Sequence, residues 1–150
     1  MVYSEKALEH YRNPRNVGEI EDADGCGVYL SESCGDITKV WIKVRDGRIV
    51  EARFKTQGCA ASIASGSMLT ETVVGRTLEE AVKITKEDVA NALDGLPEQK
   101  IHCSLLATDA LKDAIYDYLK KNGLPVPNEL DEKHDHIKPQ IEKLRNMGYI

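Results

Sequence analysis

Between Ile37 and Lys55 the chain alternates in character residue by residue and turns once, at Asp46-Gly47. In the first run Val40, Ile42 and Val44 fall on one side, with Lys39 and Lys43 on the other. In the second, Val50, Ala52 and Phe54 alternate with Glu51, Arg53 and Lys55. A period of two is the signature of a half-buried strand, and Asp-Gly supplies the positive-φ residues of a tight hairpin turn. These features predict two antiparallel strands with one face to the core. After an acidic, glycine-containing loop from Glu19 to Gly27, Val28, Tyr29 and Leu30 read as a further strand running toward Cys34, which completes an antiparallel meander. Trp41 is expected to pack at a sheet face.

Helices surround this meander. Ser4 caps a first helix with Ala7, Leu8 and Tyr11 on its apolar side, and Asn13-Pro14 stops it; His10 reads as structural or exposed. Small, helix-compatible residues run from Ala60 to Val74-Gly75, where glycine takes the left-handed position after the helix. Thr77 with Glu80, and Thr85 with Asp88, mark two short helices, the second ending near Leu93-Asp94-Gly95. From Ser104 to Asn122 an amphipathic helix of about five turns presents Leu111, Ile115 and Leu119 in one row, and Gly123 ends it. Residues 1–122 read as one domain. Residues 123–150 read as a charged, proline-punctuated tail with a short helix from Pro139 to Met147. The fold class is α+β, with helices packed on an antiparallel sheet.

A chain of 150 residues, 41% apolar and 30% charged, can bury a core without disulfides. Its formal net charge of -5 lacks the clustered basic excess that nucleic acid demands. No stretch approaches the roughly 20 apolar residues of a membrane span, and Glu5, Lys6 and Glu9 stand where a signal peptide needs an apolar run. The expected location is the cytoplasm, where thiols stay reduced. Cys26, Cys34, Cys59 and Cys103 are therefore read as metal ligands, reactive thiols or small buried hydrophobes, not as a disulfide framework.

Three of the four cysteines stand at element junctions. Cys34-Gly35-Asp36 lies where the first strand hands over to the second, so a thiolate and a carboxylate are presented together. Cys59 follows Gly58 at the start of the helix from Ala60, and Cys103 precedes the long helix, with His102 before it. Free N–H groups and the helix dipole are expected to lower the pKa of both thiols. Soft thiolate ligands select zinc, Cu(I) or iron–sulfur clusters, whereas hard cations want more oxygen ligands than these residues offer. A stable electron-transfer cluster usually takes four cysteines. Substituting Asp36 or His102 for one thiolate should weaken retention.

The segments Tyr3-Ser4-Glu5-Lys6, Asn13-Pro14-Arg15-Asn16-Val17-Gly18, Cys34-Gly35-Asp36, Phe54-Lys55-Thr56-Gln57-Gly58-Cys59-Ala60 and Lys100-Ile101-His102-Cys103-Ser104 stand in one order. In these motifs, over roughly residues 3 to 120, the chain resembles the IscU family of iron–sulfur cluster scaffolds, also found as the N-terminal part of NifU. The resemblance implies a three-stranded antiparallel sheet with helices packed on it and ligand loops converging at one end. It further implies sulfur delivery as persulfide by a cysteine desulfurase, iron, electrons from a ferredoxin-type donor, and transfer of a labile [2Fe–2S] cluster to apo iron–sulfur proteins. Such a protein is a scaffold and sulfur acceptor, not a turnover catalyst. Carried over by position, Cys34, Cys59 and Cys103 are sulfur acceptors and ligands, with Cys103 the first persulfide acceptor. Asp36 is the ligand or release-promoting carboxylate, His102 an alternative ligand, and Lys100 a neighbour able to pair with Asp36 or a thiolate. Three thiolates per subunit also leave open a [4Fe–4S] cluster and a homodimer sharing it, and zinc can occupy the apo form.

The family's chaperone-recognition segment commonly reads Leu-Pro-Pro-Val-Lys, whereas this chain has Leu96-Pro97-Glu98-Gln99-Lys100. That departure argues against recognition by a dedicated Hsp70. Cys26 has no counterpart among the family ligands and reads as a bystander thiol, and His134 and His136 fall in a charged run that reads as a solvated face. Two other functions compete. A closed structural zinc site could use the same residues. A thiol hydrolase would pair Cys103 with His102, but adjacent residues at a helix start rarely face one another.

Overall fold

The computed structural model describes residues 2–31 and 35–148; Cys34 lies outside the described residues. Strands β1 (Gly25–Leu30), β2 (Ile37–Arg45) and β3 (Arg48–Gln57) pair antiparallel in that order. Asp46 and Gly47 take φ of 54° and 73°, the geometry expected of the hairpin turn. The register pairs Leu30 with Ile37 and Ile37 with Gln57, so the end of β1, the start of β2 and the end of β3 meet at one edge of the sheet.

Two strand details depart from the simple alternation. Pairing jumps from Lys43 opposite Glu51 to Val44 opposite Ile49, a bulge that leaves Val50 unpaired. Ile49 therefore takes the core position and Val50, expected inside, is 47% exposed. The second departure is at β1, which starts at Gly25, inside the stretch read as a loop. A Cβ on Gly25 would lie 2.3 Å from the Ala114 carbonyl oxygen, and one on Gly27 would lie 2.2 Å from both Ala110 O and Ala114 N. These glycines form the bare track on which a helix backbone lies against the strand.

That helix is α5 (Ile101–Lys121), which crosses the core face of the sheet. Its Asp117 and Asp113 carboxylates accept from the backbone N–H of Cys26 (2.9 Å) and Val28 (3.2 Å), satisfying β1 where it lacks a neighbouring strand. Gly123, with φ of 64°, ends it, and Leu124 N–H donates back to Leu119 O at 2.9 Å. Helix α2 (Ala60–Val73) is buried nearly all round, and its Gly66 makes room for the Phe54 ring. Helix α1 (Glu5–Arg12) is capped by Ser4, which accepts from Ala7 N–H at 3.0 Å. It buries His10, whose Nδ1 meets Ser67 Oγ at 2.7 Å, while Tyr11, expected on the apolar side, is largely exposed. The short helices α3 (Leu78–Val82) and α4 (Lys86–Ala92) carry the expected capping boxes.

The C-terminal segment is more ordered than its composition suggested. Helix α6 (Asn128–Asn146) starts beside Pro127 and runs through Pro139, so the helix begins eleven residues before the Pro139 start that the sequence predicts. The bond lost at Pro139 is offset by burial: Leu130 joins the main core, while Ile137 and Ile141 pack on Val28 and Ile37. His134 is not solvated as a charged run would suggest, since it bonds Asp113 at 2.8 Å and stacks on Tyr116. None of the helices among the described residues is long and apolar enough to cross a membrane.

Candidate functional site

The shared edge of the sheet brings the candidate ligands together. Ser31 N–H donates to Asp36 O (2.8 Å) and Gly35 N–H to Ser31 O (2.8 Å), closing the connection between β1 and β2. Gly35 has φ of 76°, which favours glycine and sets Asp36 at the start of β2. Gln57 ends β3, and after Gly58 the chain enters α2 with Cys59 as its N-cap. From the other side comes α5. It begins at Ile101 and not at Ser104, because a 3-10 turn over Glu98–Lys100 feeds straight into it. The Ser104 hydroxyl donates to Ile101 O (2.6 Å) and Lys86 O (3.0 Å), so His102 and Cys103 lie inside the first helical turn.

Cys59 Sγ and Cys103 Sγ are 3.5 Å apart. One carboxylate oxygen of Asp36 and these two sulfurs all lie within 4.8 Å of one another, the one such group among the described residues. His102 Nε2 reaches the Cys103 sulfur at 3.6 Å from an exposed position, but it is outside that group. Two sulfurs and a carboxylate suit a thiophilic metal and are too few oxygens for a hard cation.

Electrostatics separates the two thiols. Burial pushes the Cys59 pKa up, but the Ser62 hydroxyl and N–H, the Cys103 thiol and the Ala61 N–H outweigh it and hold the thiol below its ordinary value. For Cys103 the expectation of a lowered pKa fails. The residue is 2% exposed, and burial, together with the neighbouring Cys59 and Asp36 charges, pushes it up to about 12 despite a lowering contribution from Ser62. The free N–H groups of a helix start are outweighed by desolvation and by the neighbouring Cys59 and Asp36. Lys100 has its pKa raised, chiefly by Cys59 and further by Cys103, Tyr3 and Asp36, so its ammonium lies within the electrostatic reach of the pair.

Two neighbours escaped the sequence reading. Ser62 is 1% exposed and donates to Asp36 Oδ2 at 2.9 Å while standing 3.6 Å from Cys59 Sγ. Its position three residues after a helix-starting cysteine was the available signal. Tyr3, whose hydroxyl pKa burial and then Cys59 raise, stands in the leading Tyr3-Ser4-Glu5-Lys6 segment but carried no assigned role. Cys26 lies elsewhere, opposite Trp41 in the sheet, half-buried with its pKa raised by burial.

Comparison with known proteins bears on the same elements. A model of the NifU-like N terminal domain matches residues 2–124. Over 122 residues the chain is 57% identical to iron-sulfur cluster assembly scaffold protein IscU 1 of Archaeoglobus fulgidus, covering 81% of this chain and 80% of the relative. It is 52% identical over 125 residues to the iron-sulfur cluster assembly scaffold protein IscU of Escherichia coli strain K12, covering 81% of this chain and 97% of that one. Among solved structures, the N-terminal part of a nitrogen-fixing NifU-like protein from Brucella abortus superposes with a TM-score of 0.67 at 21% identity, over 79% of this chain and 94% of that one. A putative iron-sulfur cluster assembly scaffold protein for the SUF system from Fervidobacterium islandicum superposes with a TM-score of 0.65 at 25% identity, over 75% of this chain and 96% of that one. The fold is that of these neighbours.

Proposed function

The chain belongs to the NifU-like N-terminal domain family, and on that premise we propose that it is a scaffold on which an iron–sulfur cluster is assembled and then passed to apo-proteins. The observation that carries the reading is the convergence of Cys59, Cys103 and Asp36, with the two sulfurs 3.5 Å apart. Cys34, two residues before Asp36, is proposed as the third sulfur ligand, and His102 as an alternative ligand beside Cys103. A [2Fe–2S] cluster is the proposed cargo, with zinc able to occupy the same donors. The chain acts as acceptor and scaffold and not as a turnover catalyst, in the cytoplasm, with a cysteine desulfurase and apo iron–sulfur proteins as partners. Residues 1–122 carry this function, and residues 123–150 are an addition to it.

Sulfur acceptance follows from the thiol pair. For Cys103 to accept, its sulfur attacks the outer sulfur of the donor's persulfide, the donor S–S bond breaks and the donor leaves as a thiolate. The proton released by Cys103 is taken up by that departing thiolate, with Cys59 Sγ 3.5 Å from the attacking sulfur. Lys100, whose pKa the two thiols and Asp36 raise, is a nearby cation for the negative charge that develops during transfer. Asp36 offers a harder, weaker ligand than a fourth thiolate, which suits a cluster meant to leave.

The test is anaerobic reconstitution with iron, cysteine and a cysteine desulfurase, followed by visible absorption and Mössbauer spectroscopy, for the wild type and Asp36→Ala. The expected result is a charge-transfer spectrum that decays on adding an apo-ferredoxin and persists longer in the variant. Absence of both cluster and persulfide, with zinc held tightly instead, would leave a structural metal site in place of a scaffold.

A further inference from the structure

Ser62 stands among the three candidate donors, and the proposed scaffold function leaves it without a role. Its side chain is buried in the first turn of α2, donates to Asp36 Oδ2 at 2.9 Å and lies 3.6 Å from Cys59 Sγ. The common fate of a hydroxyl inside a helix is to bond a carbonyl one turn back, as Thr70 does with Gly66 O and Thr72 with Met68 O. Ser62 turns toward the site instead.

The surroundings are shaped around this contact. Asp36 Oδ2 also receives the Cys59 backbone N–H, at 3.5 Å. A Cβ on Gly58 would come within 2.7 Å of Asp36 Oδ2 and 2.9 Å of Ser62 Oγ, so the bare glycine is what lets carboxylate and hydroxyl meet. The carboxylate stands just before β2 and the thiol caps the start of α2, and Ser62 is the side chain of α2 that bonds the carboxylate.

Resting on the scaffold reading above, we propose that Ser62 is a positioning residue: its buried hydroxyl fixes the Asp36 carboxylate beside Cys59 and Cys103, so that the remaining lone pairs of the carboxylate face the incoming metal. Hydroxyl partners of ligating carboxylates commonly carry about 10-fold or more in metal affinity, because they hold the ligand in its bound orientation before the metal arrives. Since the effect runs through Asp36, it must vanish when Asp36 is gone.

Cobalt(II) is the probe, titrated anaerobically into the reduced full-length protein and followed by its thiolate charge-transfer and d–d bands, for wild type, Ser62→Ala, Asp36→Ala and the double variant. Alanine is smaller than serine and the best helix former, so Ser62→Ala should keep its fold, which urea unfolding checks. The expected result is affinity about 10-fold weaker for Ser62→Ala, and a double variant no weaker than Asp36→Ala alone. Ser62→Thr, which keeps the hydroxyl, should bind within a few-fold of wild type. Unchanged affinity in Ser62→Ala, a double variant that multiplies the two single losses, or a threonine variant as weak as the alanine one would each overturn the proposal. A wild type that shows no thiolate-to-cobalt band would instead overturn the ligand site itself, and the positioning role with it.

Discussion

Gly58→Ala separates the site from the fold. Gly58 lies outside the positive-φ region, so alanine meets no conformational penalty there. Its new methyl group would, however, stand 2.7 Å from Asp36 Oδ2 and 2.9 Å from Asp36 Cγ and Ser62 Oγ. These contacts are roughly 0.7 Å or less short of ordinary van der Waals separation, and the atoms concerned are ends of side chains, which can move when backbone cannot. The carboxylate is half-buried and can rotate toward water. The hydrogen bond it leaves behind, like other bonds to a charged group, is worth about 1.5–3 kcal/mol net of hydration, so the expected loss of stability is no more than that. Metal affinity should suffer as well, by about 10- to 100-fold, because the carboxylate no longer sits against the two sulfurs. Urea unfolding followed by the fluorescence of Trp41, the single tryptophan of the chain, reads the first quantity and cobalt titration the second. A variant that binds cobalt as tightly as wild type, or one destabilised by more than about 3 kcal/mol, would refute the reasoning.

Three further outcomes are expected. Iodoacetamide at neutral pH should label Cys59 ahead of Cys26 and Cys103, because hydrogen bonds lower the Cys59 pKa while burial raises the other two; peptide mass spectrometry after short pulses reads the order, and Cys103 reacting first would contradict it. Gly27→Ala should cost about 3 kcal/mol or more in urea unfolding, since its methyl would meet Ala110 O and Ala114 N, both at 2.2 Å and both unyielding backbone; a loss below about 1 kcal/mol would mean that α5 is free to shift away from the sheet. Asp113 has its carboxyl pKa raised by burial, the His134 and Val28 hydrogen bonds only partly opposing this. The folded state thus holds that proton more tightly than the unfolded chain, and this contribution to stability is full below the unfolded pKa and fades as pH rises through the folded one. The stability of wild type relative to Asp113→Asn should accordingly decline as pH rises from about 3 toward neutrality, and parallel profiles would exclude it.

What was legible in the sequence was legible because local chemistry decided it. Asp46-Gly47 forms the turn its residues demand, and Thr77 with Glu80 and Thr85 with Asp88 close both capping boxes within four residues. The misread features depend on partners distant in sequence. Gly25 and Gly27 look like loop residues until α5, some ninety positions on, is laid against them. Val50 looks like a core residue until the bulge at Lys43/Val44 turns it out. Pro139 looks like a helix start until the apolar contacts of Ile137 and Ile141 carry α6 through it. At the site, motif order drew attention to Asp36, Cys59 and Cys103, but the division of charge between the two thiols depends on burial and on Ser62, neither of which the motifs encode.

The geometry also explains why thiols so far apart in sequence need no disulfide or compact ligand motif to meet. Each donor is fixed by an element with its own reason to end there: β2 begins after the turn at Gly35, α2 begins after Gly58, and α5 begins where the turn from Pro97 runs into helix. The sheet register sets the first two side by side, and the glycine track on β1 sets the height of the third. All three of these donors lie within residues 2–124, the span matched by the family model. Helix α6 stands outside that span and touches the site only indirectly, by packing Ile137 and Ile141 on Val28 and on Ile37, the residue after Asp36. Its influence on the site must therefore pass through the stability of the strand end that carries Asp36, since the donor atoms themselves come from the remainder of the chain.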